Sequence, residues 1–127
     1  MIQLSRGVLG MIAAPSIAPG EQAIDLQHLS KMTLGERGLE REVLELFHQQ
    51  ATMLTGRMRE AAPAVIAASA HTLKGSARGI GAWRVARAAE AVERAASDET
   101  RLKIAVDTLG ASVSEAKAVI ADLLRTH

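Results

Sequence analysis

The stretch 102–123 constrains this chain more than any other. Leu102, Val106, Leu109, Val113, Ala116, Ile120 and Leu123 recur at intervals of four and three residues. On a helix of 3.6 residues per turn that rhythm draws one apolar row, the seam that helical bundles bury. Ile66, Ala70, Leu73, Ala77 and Ile80 repeat it over 64–79 and just beyond, and Val85, Ala89, Val92 and Ala96 over 82–97. A further amphipathic run begins near Gly35 or Glu36 and continues to about Arg59, with Leu39, Val43, Leu46, Phe47, Leu54 and Met58 on a broad stripe. No segment shows the alternation of a strand.

The punctuation agrees with this division. "IDLQHLSKM" (24–32) reads as a short helix with Ile24, Leu26, Leu29 and Met32 as its apolar points. "TLGE" (33–36) has the form of a capping box that starts the next helix. Pro63 in "EAAPA" suits an early helical position, Gly79 and Gly81 end the helix that follows, and "SDET" (97–100) caps the last one. Gly110 is a weak spot inside that last helix. The expected fold is all-α: an antiparallel four-helix bundle with a short additional N-terminal helix as a lid. Pro15, Pro19 and Gly20 mark residues 1–20 as an irregular arm, which leaves 21–127 as the bundle domain. The apolar patch Val8–Ala14, with Arg6 before it and Pro15 after it, matches a signal peptide only weakly. The expectation is a cytoplasmic protein with a loosely held leader, the alternative being a segment packed on the bundle or on an oligomer interface.

Composition narrows the function. A 127-residue chain is one ordinary domain, and with 48% apolar but only 2% aromatic residues its core is aliphatic. A net charge of +1 supplies no strong field for nucleic acid or an acidic membrane. No apolar run approaches the roughly 20 residues of a membrane span. The absence of cysteine excludes disulfides, thiol catalysis and Cys-based zinc sites. There is no HExxH motif or close His/Asp cluster, so no metal site is expected. His28, His48 and the terminal His127 read as surface or interface residues. Leu44, Met53 and Val65 fit either extra core or a docking surface.

The chemistry concentrates in "AHTLKGSARGIGA" (70–82). If Ala70 and Leu73 face the core, His71 stands about 100° round from Ala70, with Lys74 and Gly75 beside it and Arg78 continuing the row. A helix-interior glycine costs about 1 kcal/mol against alanine. Gly75, one turn from His71, removes a side chain that would crowd the imidazole. Lys74 is placed to reach a group carried on the ring. This suits a bulky anion on His71. A solvated helix with an incidental histidine accounts for any one of these residues taken alone.

The whole string closely resembles the phosphoacceptor signature of histidine-containing phosphotransfer (HPt) domains, H-x-L-K-G-S followed by a Gly-Ala step. "LEREVLELFHQQ" and "VARAAEAVERA" resemble the family's flanking helices, so the likeness spans about residues 24–125. The resemblance implies that His71 is the phosphoacceptor, that Lys74 offsets the phosphoryl charge, and that Gly75 gives a partner access. It implies packing roles for Leu73 and Ala77. Ser76 matches the motif and suits a local hydrogen bond to the previous turn. Arg78, by helix spacing, and Arg84 and Arg87 on the next helix are candidates for a basic, partner-binding rim with Lys74. Trp83, past the Gly-Ala step, is a further partner-binding candidate. The implied partners are response-regulator receiver domains, that of a hybrid sensor kinase included, and the receiver is expected to supply Mg²⁺, so no cofactor belongs to this chain. The implied state is a monomer.

A histidine side chain is largely neutral at pH 7, leaving one ring nitrogen as a nucleophile toward an aspartyl phosphate. No Gly-rich nucleotide loop is present, which points to a phosphate carrier rather than a kinase. Two alternatives compete with this reading. A dimeric sensor-kinase core would carry an acidic residue directly after the histidine and a nearby proline, but Thr72 follows His71 and no proline follows Pro63. A helical adaptor without chemistry would not need the set His71, Lys74 and Gly75.

Overall fold

The computed structural model describes residues 22–126, and none of them lies in a strand. Five helices follow in order: α1 Leu26–Met32, α2 Arg37–Arg57, α3 Pro63–Ile80, α4 Trp83–Arg94 and α5 Glu99–Thr126. α3 packs on α2 and α4, and α5 packs on α4 and α2, which closes a ring of four helices. α1 lies against α3. The expected arm over 1–20, its patch Val8–Ala14, and His127 fall outside the described residues. No helix among the described residues is long and apolar enough to cross a membrane.

The seam of α3 is the expected one: Ile66, Ala70, Leu73, Ala77 and Ile80 are all buried. In α5, Leu102, Leu109, Val113, Ala116 and Ile120 are buried, while Val106 and Leu123 sit at the partly covered edge. Gly110 leaves α5 unbroken. At the C-terminal end of α4, the capping residue Ala95 is buried and Ala96 is only half-buried.

The face of α2 differs from the expectation. Leu44, Phe47, Ala51, Leu54 and Met58 are buried, whereas Leu39 and Leu46 are exposed, Leu46 by 58%. The buried set runs at intervals of three, four, three and four, the same rhythm as α3 and α5. α2 must pack against both α3 and α5, and only that row faces both. Leu44 is therefore core, and Met53 and Val65 are exposed.

The helix ends follow from their residues, with one correction. Pro63 begins α3, where its missing N–H has no helical partner to lose. Gly81 ends α3 in the left-handed conformation, φ +82°, and the Ala82 N–H turns back to the Ala77 carbonyl at 2.8 Å. The Asp98 carboxylate accepts the Arg101 N–H at 3.1 Å and closes the start of α5. Thr33 is not the N-cap of α2. Its hydroxyl donates back to the Leu29 carbonyl at 2.8 Å and so finishes α1. Leu34 and Gly35 at positive φ then turn the chain, and α2 starts after Glu36 without a side-chain cap.

α1 is latched to the α3–α4 turn. The Asp25 N–H donates to the Gly81 carbonyl at 2.9 Å, and Trp83 Nε1–H donates to Asp25 Oδ2 at 2.9 Å. The Asp25 side chain also accepts the His28 N–H at 3.1 Å. These two donors, the indole first, hold the Asp25 carboxyl below its ordinary range despite partial burial. The His28 ring meets Trp83 edge to face, with centroids 4.8 Å apart. One end of the α3–α4 hairpin is thereby fixed, and the register of α4 along α3 is set for the residues farther up.

Candidate functional site

Because Ala70 and Leu73 turn inward, α3 carries His71 out on the flank nearest α4. The His71 side chain is 71% exposed, and its Nδ1 lies 2.8 Å from Glu93 Oε2 on α4. Lys74, one turn on, lies along the surface with only 15% of its side chain exposed. Its Nζ is 2.7 Å from Glu93 Oε1. The two α3 residues thus share one carboxylate, a contact between residues 22 apart for His71. Lys74 is the main reason the Glu93 carboxyl is held below its ordinary range. His71 adds to the effect, and partial burial opposes it.

Gly75 is exposed beside this pair. A Cβ placed on it would meet no atom within 4 Å, so nothing within the described residues requires a glycine there. Arg78 continues the row and pairs loosely with Glu90 of α4 at 3.8 Å. Arg87 lies in a shallow groove with Arg78, Trp83, Ala86 and Glu90.

The other candidates are placed elsewhere. Arg84 is about 180° around α4 from Glu93 and pairs with Glu115 of α5 at 3.1 Å, so it does not join a rim around His71. Trp83 has its N–H committed to Asp25, although its ring still edges the Arg78–Arg87 groove. Ser76 is half-buried on the opposite flank of α3, in a groove with Val43, Leu46, Phe47 and Gln50 of α2. Of the residues expected in a basic rim, Lys74 stands beside His71, and Arg78 and Arg87 line one groove. His28 belongs to the α1 latch and His48 lies on α2. Among the described residues no group of three or more His, Asp or Glu is arranged to hold a metal.

The sequence reading missed Glu93. The signal was present in the hairpin: His71 lies ten residues before Gly81 and Glu93 eleven after Ala82, so folding about that turn brings them opposite.

The model of the Hpt domain family matches residues 42–125. The crystal structure of the histidine phosphotransferase ShpA from Caulobacter crescentus is similar, with a TM-score of 0.58 and 28% sequence identity over 83% of this chain and 98% of that one. No curated protein matches the chain.

Proposed function

The chain belongs to the Hpt domain family, and on that premise we propose that it is a phosphocarrier of a two-component phosphorelay. It takes a phosphoryl group onto His71 from the aspartate of one receiver domain and returns it to the aspartate of another. The observation that carries this reading is the exposed His71 imidazole standing in the motif, with open space above Gly75 on the same face. A receiver domain must bring a buried, magnesium-bound aspartyl phosphate up to the imidazole. A side chain one turn away would hold it off, and Gly75 presents none.

Phosphoryl transfer depends mostly on positioning and charge neutralisation. Lys74, already drawn to the His71 side of α3, supplies the nearest positive charge. Arg78 extends that charge along the face a partner would cover. The receiver supplies Mg²⁺. The chain carries no motif for binding a nucleotide, so the phosphate comes from a phosphorylated partner rather than from ATP.

The test is incubation with phosphorylated receiver domains, followed by detection of acid-labile, base-stable phosphate on this protein. His71→Gln is expected to abolish labelling while the circular dichroism spectrum stays helical, since His71 lies outside the core seam. Labelling that persists in this variant refutes the assignment.

A further inference from the structure

α2 carries two apolar rows, and the bundle uses one. Leu44, Phe47, Ala51, Leu54 and Met58 are buried. Leu39, Val43, Leu46, Gln50 and Met53 run beside them at intervals of four, three, four and three, the rhythm of a buried seam. In this second row Leu39, Leu46 and Met53 are exposed, Leu46 by 58% and Met53 by 48%. The row borders two open grooves that follow one another along the α2–α3 seam. Val43, Leu46, Phe47, Gln50, Ser76 and Ile80 line one of about 400 Å³. Leu54, Val65, Ala68, Ser69 and Thr72 line much of the next, of about 330 Å³. Among the described residues that line either groove, Arg57 alone is charged. Contiguous apolar surface of this kind marks a site that something covers.

The chain holds a segment of matching character. Residues 7–20 contain no charged residue, and Val8, Leu9, Met11 and Ile12 lie close together within them. An uncharged segment enters an apolar trough without the cost of desolvating a charge. Its attachment point is close to the trough. The Asp25 N–H donates to the Gly81 carbonyl at 2.9 Å, and Ile80, the residue before Gly81, lines the first groove. Pro15 to Gln22 form a tether of eight residues, which spans about 26 Å when extended. From Ile80 to Val65 the trough is about 22 Å long at 1.5 Å per helical residue. A tether this short keeps the segment at an effective concentration on the order of millimolar, so weak apolar contact is enough to seat it.

We propose that the segment Val8–Ala14 seats in the α2–α3 trough and covers part of the face that a receiver domain must reach. The covering role rests on the phosphocarrier reading; the seating does not. Thr72, at the edge of the trough, stands about 60° round α3 from Gly75, and His71 stands about 40° round from Gly75 on the other side. A receiver domain that spans His71 and Gly75 therefore overlaps the edge of the seated segment, whereas a small phosphodonor does not. The arm is an intrachain competitor, displaced each time a receiver docks. With the trough covered about nine-tenths of the time, freeing the segment raises transfer about tenfold.

The chain has no cysteine, so Ser5→Cys accepts a single nitroxide spin label in the full chain. Paramagnetic broadening of the backbone amide signals then reads where the arm lies. Strong broadening is expected at Leu46, Gln50, Met53 and Thr72, and little at Ile104 and Ala111 of α5, which lies diagonally across the bundle from α3. Adding Met11→Asp and Ile12→Asp is expected to remove the broadening at the trough. In the chain without the label, the same pair is expected to speed labelling of His71 by a phosphorylated receiver about tenfold and to leave labelling by phosphoramidate unchanged. Broadening that is absent, or even across the molecule, overturns the seating. Broadening that arises only between a spin-labelled chain and a separate ¹⁵N-labelled chain overturns it too, and assigns the trough to a second copy. Seating with an unchanged transfer rate overturns the covering role. A chain that accepts no phosphate with or without the aspartates refutes the phosphocarrier reading and the covering role with it. The broadening still reports the seating in that case, which tells the two failures apart.

Discussion

His28 and His71 both lie close to a carboxylate, and their surroundings differ. His28 sits at the latched end of the α3–α4 hairpin. Its neighbour Asp25 accepts the His28 backbone N–H and the Trp83 indole N–H, while the imidazole packs on the indole. The Nε2 of His28 is buried and has no hydrogen-bond partner among the described residues. His71 sits farther along the hairpin. Its ring nitrogen, not its backbone, meets Glu93, and the remainder of the ring faces solvent. A nearby acid does not by itself make a histidine reactive. What matters is which atom the acid accepts from and whether the other ring nitrogen can reach a partner. The latched end ties α1 to the hairpin, and the open end carries the proposed phosphoacceptor.

The sharpest way to break this comparison is to exchange the losses. His71→Gln is expected to remove phosphate acceptance entirely without unfolding the bundle, whereas His28→Gln is expected to lower the melting temperature and leave acceptance near the wild-type rate. Labelling measured beside thermal unfolding checks both. Next in size is Gly75→Gln. Nothing in the described structure stands where its side chain would begin, so stability is expected to hold or rise, by up to about 1 kcal/mol from the gain in helix propensity. Transfer from a receiver is expected to fall at least tenfold, roughly 1.4 kcal/mol of barrier. Labelling by a small donor such as phosphoramidate is expected to change much less. Equal losses with both donors would mean that the substitution disturbs His71 itself.

The latched end has its own tests. A Cβ at Gly81 would come within 3.0 Å of both Cβ and the carbonyl oxygen of Asp25, on a backbone at φ +82°. Gly81→Ala is expected to cost about 1–3 kcal/mol in denaturant unfolding. Trp83→Phe removes the indole donor and is expected to cost about 1–2 kcal/mol at pH 7. Its pH dependence carries a defined sign. The native Asp25 carboxyl is held below its ordinary value of 3.8, chiefly by Trp83. Its ionised form therefore stabilises the fold at every pH above that value, and the contribution fades as pH falls through the lower native one. The difference between wild type and Trp83→Phe is expected to shrink below about pH 3.8. A difference that stays constant to pH 2 would show that the indole acts by packing alone.

Much of this division was legible in the sequence, and the exceptions have physical causes. The seam of α3 could be read directly because Ile66, Leu73 and Ile80 mark a row that Ala70 and Ala77 complete, all five buried. On α2 the true row includes Ala51, a residue too small to stand out, while Leu39 and Leu46 stand out and are exposed. The choice between the two rows belongs to α3 and α5, not to α2. "TLGE" satisfies the capping pattern, yet two positive-φ residues inside it turn the Thr33 hydroxyl back to α1. His71, Lys74 and Gly75 were legible because they lie in one string on one helix, and that whole string resembles a family motif. Glu93 did not, because its partners lie on another helix and the pairing exists only once the hairpin closes on Gly81.

On the proposed function, the surroundings of the two histidines, not the residue type, select the phosphate acceptor. The most direct measurement is ¹H–¹⁵N–³¹P NMR of the wild-type chain, with all histidine rings observed in one sample before and after exposure to a phosphorylated receiver domain. The proposed function predicts nitrogen–phosphorus coupling at the His71 ring and unchanged resonances for the His28 ring. Phosphate on His28 or His48, with none on His71, would contradict it.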